Sequence, residues 1–87
     1  MDSMDMDQDI PAIVEWVEER VRHYMSAFGK GGELKVIRHP NQDVQGVLVL
    51  VTIEGQKEPA RLTVLEMHVK FDKPTAEAQI RGFVNSL

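Results

Sequence analysis

Residues 47–53 read Val-Leu-Val-Leu-Val-Thr-Ile, and no other stretch limits the possible folds as much. The run is rich in β-branched residues and is bounded by Gly46 and Gly55, so it reads as a strand. Side chains alternate along a strand. Val47, Val49, Val51 and Ile53 therefore point one way, and Leu48 and Leu50 the other. A strand that is apolar on both faces belongs in the middle of a sheet and calls for cover on both sides.

The flanking sequence supplies the rest of that sheet and two helices. Ile10, Ile13, Val17, Val21, Tyr24 and Phe28 recur at steps of three and four, which is the stripe of an amphipathic helix. Asp9 suits its N-cap, Pro11 suits its first turn, and Gly29 and the glycines after it suit its end. Residues 34–39 read as a strand ended by Pro40, and residues 54–57 as a hairpin connection. A third strand begins near Glu58. Its alternation runs through Ala60, Leu62 and Val64, then changes phase to Leu65, Met67, Val69 and Phe71. That switch fits one bulged strand over residues 58–71, or a strand followed by a helical turn. After Asp72-Lys73-Pro74, residues Ala76, Ile80, Phe83 and Leu87 mark a second helix. The expected architecture is a single α+β domain over residues 10–87, in the order α-β-β-β-α. A three-stranded antiparallel sheet carries two helices packed mainly on one face. Residues 1–9, Met-Asp-Ser-Met-Asp-Met-Asp-Gln-Asp, lack an apolar period and read as a flexible acidic arm.

Two helices on one face leave Leu48 and Leu50 uncovered on the other. A chain of 87 residues without cysteine has a thin core and no disulfide. Small unstapled domains often gain stability by association, so a homodimer through the open sheet face is expected. The alternative is helices on opposite faces, with nothing apolar left exposed. Trp16 lies off the centre of the first helix's stripe. It is a candidate contact residue, since tryptophan is enriched at binding hot spots, or else it wraps the helix flank.

Catalysis has little to stand on. His23, His39 and His68 fall on different elements without metal-ligand spacing, and Ser3, Ser26 and Ser86 occupy no nucleophile context. Glu15, Glu18 and Glu19 read as a solvated helix face. The glycine-rich Gly29–Gly32 segment follows a helix, whereas a phosphate loop precedes one. No catalytic, cofactor-binding or metal-ligating residues are expected, and no cofactor. No apolar run approaches the roughly 20 residues of a membrane span. The acidic start is unlike a signal peptide, so a cytoplasmic protein is expected.

Charge keeps a second reading open. Residues 1–19 hold seven acids and no base, while the rest of the chain sets ten bases against seven acids, a formal +3. The helix–three strands–helix order is similar in outline to the double-stranded RNA-binding domain. That family opens its second helix with a lysine cluster and joins its first strands by a Gly-Pro-x-His loop. Here the helix entry offers Lys70 and Lys73 around Asp72, and the loop reads His39-Pro-Asn-Gln-Asp43. The likeness is one of topology, and membership does not follow from it. The sequence therefore points first to a small non-catalytic protein-interaction module or inhibitor. It would be dimeric, bind an unidentified protein, and use Leu48, Leu50 and Trp16. Weak nucleic-acid binding through Arg20, Arg22, Lys70, Lys73 and Arg81 is the alternative.

Overall fold

The computed structural model describes the backbone of residues 3–87 and the side chains of residues 10–87. Six elements follow one another: α1 (Ser3–Ala27), β1 (Glu33–Arg38), β2 (Gly46–Thr52), β3 (Ala60–Leu65), α2 (Glu66–Phe71) and α3 (Lys73–Asn85). The strands form one antiparallel sheet in the order β1-β2-β3. The valine- and leucine-rich run is thus the central strand, β2.

Register fixes the two faces. Val36 stands opposite Val49 and Val49 opposite Leu62, while Val47 faces Val64. Val47, Val49, Val51 and Val64 are fully buried, and the helices supply their cover through Val17, Val21, Ile80 and Val84. Burying each such side chain stabilises the fold by roughly 1.5–3 kcal/mol relative to exposure. The helices lie on one face, α1 against β1 and α3 against β3, and they pack on each other. An ion pair from Arg20 Nη1 to Glu77 Oε1 at 3.1 Å spans α1 and α3.

The first helix ends as its glycines predict. Gly29 has φ +68°, a conformation that side chains with a Cβ rarely take. The Lys30 N–H donates to the Met25 carbonyl at 2.8 Å and the Gly29 N–H to the Ser26 carbonyl at 3.2 Å, which together make a Schellman cap. Its start differs from expectation. The helix begins at Ser3, ahead of Asp9, and Pro11 lies inside it. Residues 3–9 contain no glycine or β-branched residue, and their acids suit the positive end of a helix. Met1, Asp2 and the side chains of the expected arm at residues 1–9 lie outside the described residues.

The phase switch after Val64 resolves as strand followed by helix. Leu65, with extended φ −75° and ψ 138°, is the N-cap of α2. From there the period is helical: Glu66 and Val69 turn inward and are buried, while Met67 and Phe71 turn outward. The junction into α3 is held by Thr75, whose hydroxyl donates to Asp72 Oδ2 at 2.7 Å. The Asp72 N–H in turn donates to the His68 carbonyl at 2.8 Å.

Candidate functional site

Two apolar surfaces stand out among the described residues. One is the sheet face turned away from the helices. Because β2 pairs on both sides, the rows across this face are fixed: Ile37–Leu48–Thr63, then Lys35–Leu50–Arg61. Leu65 stands opposite Gly46 at one end. Leu48 and Leu50 are half-buried, since neighbouring strands shield their flanks, and no helix covers them. Lys35 and Arg61 are exposed. They sit on the two edge strands, so a cation flanks Leu50 on each side.

The second surface lies where α1 meets the α2–α3 junction. Ala12, Ile13 and Trp16 form one wall of an open cleft of about 580 Å³; Val69, Lys70, Phe71 and Lys73 form the other. Trp16 is half-buried and packs against the core. The Lys73 ammonium sits over its ring, 5.9 Å from the centroid, a cation–π contact. Trp16 therefore does wrap the flank of α1, and it also lines a hollow. Lys70 pairs with the buried Glu66 at 3.0 Å, one helical turn back.

Phe71 and Met67 are the side chains that sequence reasoning missed. They are 84% and 60% exposed, and at spacing i,i+4 they form one ridge along α2. Met67 also borders a smaller hollow with Val44 and Leu65. Leu65 belongs to the open sheet face, so that face ends beside Met67 of α2. Helical spacing from Glu66 onward was the signal. It was hidden because Leu65, Met67, Val69 and Phe71 also alternate.

The cations of the nucleic-acid alternative are dispersed and mostly engaged. Arg20 pairs with Glu77 at 3.1 Å and Arg22 with Glu18 at 2.6 Å. Lys70 and Lys73 are held as described above, and Arg81 is exposed on α3. Among the described residues, no three His, Asp or Glu side chains are grouped to hold a metal ion. No helix among them is long and apolar enough to cross a membrane. His39 Nδ1 accepts from the Asn41 N–H at 3.1 Å, capping a turn. Comparison with family models, with curated proteins and with solved structures gives no match to this chain.

Proposed function

We propose that this chain is a small non-catalytic protein-interaction module whose open sheet face takes an amphipathic helix of a partner protein. The observation that carries this reading is the row Lys35–Leu50–Arg61 beside the row Ile37–Leu48–Thr63. Three strands spaced about 4.8 Å apart present a strip about 10 Å wide, and a helix is about 10 Å in diameter. One helix thus fits the strip. Its apolar stripe would lie on Leu48 and Leu50, with acidic residues on either flank reaching Lys35 and Arg61.

The same cations argue against other occupants of this face. A second copy stacked face to face brings two Lys35–Arg61 pairs into one contact, four cations against the two Glu33 carboxylates that the same face carries opposite Thr52, and the excess of like charge repels. A nucleic acid would meet the cations but leave the leucines uncovered. The dimer expected from the chain's size is therefore not assigned to this surface.

Two synthetic helices test the reading: a leucine stripe flanked by glutamates, and its twin flanked by lysines. Fluorescence anisotropy should show the acidic helix bound at least about tenfold tighter, as expected for desolvated complementary charges. Leu50→Asp should abolish that binding. Lys35→Glu combined with Arg61→Glu should reverse the preference. Equal affinity for both helices, or a preference unmoved by charge reversal, sinks the proposal.

A further inference from the structure

The exposed Phe71 belongs to one wall of an open cleft, and this pairing of knob and hollow invites a self-complementary contact. In a two-fold dimer, each surface patch meets its own copy, so a knob beside a hollow on one protomer finds a hollow beside a knob on the other. We infer that this chain dimerises through the Trp16–Phe71 cleft, each protomer seating its Phe71 in the other's hollow. This contact uses a different surface from the sheet face and does not depend on that reading.

Three observations support a second copy as the occupant. Phe71, at 84% exposure, has the largest exposure of any large apolar side chain described. Tucking it away removes the greatest single apolar penalty on the described surface. The open cleft, about 580 Å³ and lined on its two walls by Ala12, Ile13 and Val69, has room to take an aromatic side chain.

Charge supplies the third and fixes the orientation. Lys70 and Lys73 edge one wall. On the other, Glu15 and Glu19 are exposed, each three residues beyond a cleft residue, Ala12 or Trp16, and so on the same flank of α1. The arginines of α1, Arg20 and Arg22, point to either side of that flank and pair with Glu77 and Glu18. A two-fold axis lying along the cleft swaps the walls. It sets each protomer's Lys73, which rests over its own Trp16, and Lys70, which already holds its own Glu66, against the partner's Glu15 and Glu19. An axis across the cleft would oppose like walls, lysine to lysine and glutamate to glutamate, and is disfavoured.

The contact is small, and interfaces of this size are weak, so association is to be read at about 10 to 500 µM by sedimentation velocity. The full chain should pass from monomer to dimer across that range. Trp16 is the only tryptophan, so its emission should shift to the blue as the cleft fills. Phe71→Ala should weaken the dimer at least about tenfold and remove the emission shift, in line with loss of a buried aromatic anchor. Its circular dichroism should be unchanged, because the side chain is exposed.

A charge exchange tests the orientation independently. Lys73→Glu alone and Glu15→Lys with Glu19→Lys should each dimerise poorly. Mixed together they should form a heterodimer at least about tenfold tighter than either homodimer, since the intact Glu15–Glu19 wall of one then meets the intact Lys70–Lys73 wall of the other, a pairing that neither homodimer keeps. A chain that stays monomeric up to about 500 µM, the top of the range over which this weak contact should form, overturns the inference. So does a dimer indifferent to Phe71→Ala, and one lost only in Leu50→Asp would place the contact on the sheet face instead. A mixture that associates no better than its components removes the proposed axis.

Discussion

Val49→Asp will leave no folded protein at 25 °C, whereas Leu48→Asp, one residue earlier on the same strand, will fold. Val49 is fully buried at the centre of β2, between Val36 and Leu62 and beneath the helices. Replacing it forgoes roughly 1.5–3 kcal/mol of apolar burial. It also places a carboxylate among Val17, Ile80 and other aliphatic groups of the core, at a further cost of several kcal/mol. A domain of 87 residues has a total stability of about 4–13 kcal/mol, so the substitution consumes most or all of it. Leu48 projects from the opposite face and is only half-buried. Its replacement should cost no more than about 1–2 kcal/mol. Far-ultraviolet circular dichroism and urea titration of the pair read the two-sidedness of the sheet directly. Similar stabilities for the two variants would mean that the helices do not share one face.

The contrast between those neighbours was readable from the sequence because a strand has a period of two, and residues 47–53 hold that period over seven positions. The stripe of α1 was equally plain, with five turns from Ile10 to Phe28. Shorter elements gave less. α2 has six residues, fewer than two helical turns. Over that length, Leu65, Met67, Val69 and Phe71 fit a strand as well as a helix. Only the packing of Val69 and Glu66 inward, with Met67 and Phe71 outward, separates the two.

Termini of helices were uneven for a related reason. Gly29 marks one end because the chain needs a positive φ there, and few residues but glycine supply it. At the other end Asp9 looked like a cap and Pro11 like a first-turn residue, yet both preferences are local and weak beside the continuing helix. The two surfaces divide in the same way. Leu48 and Leu50 follow from alternation alone, and their flanking cations Lys35 and Arg61 follow once the register is known. The cleft does not. Its walls come from opposite ends of the chain, and nothing local brings Lys73 over Trp16.

Gly46→Ala should destabilise the protein by roughly 2–3 kcal/mol, the cost of forcing atoms into a space already filled by backbone. A Cβ at Gly46 would fall onto the Val64 carbonyl oxygen and lie 3.1 Å from Leu65 Cα. Neither neighbour is the free end of a flexible side chain, so β2 or β3 must move. Both strands are held at this point. The His39 N–H donates to the Gly46 carbonyl at 3.0 Å, and the Glu66 N–H donates to the Gln45 carbonyl at 2.9 Å. The second of these bonds anchors the first residue of α2, so the shift is carried to the helix that bears Met67 and Phe71. Gly82→Ala is the opposite case. It lies within α3 with nothing within 4 Å of an added Cβ, and the change should stabilise by about 0.5–1 kcal/mol through helix propensity. With a urea m-value of about 1 kcal/mol/M for a domain of this size, the midpoint should fall by about 2–3 M for Gly46→Ala. It should rise by about 0.5–1 M for Gly82→Ala. If Gly46→Ala left the midpoint unchanged, the close approach of β2 to the β3–α2 junction would be wrong, and with it the route by which the sheet positions the Phe71 ridge.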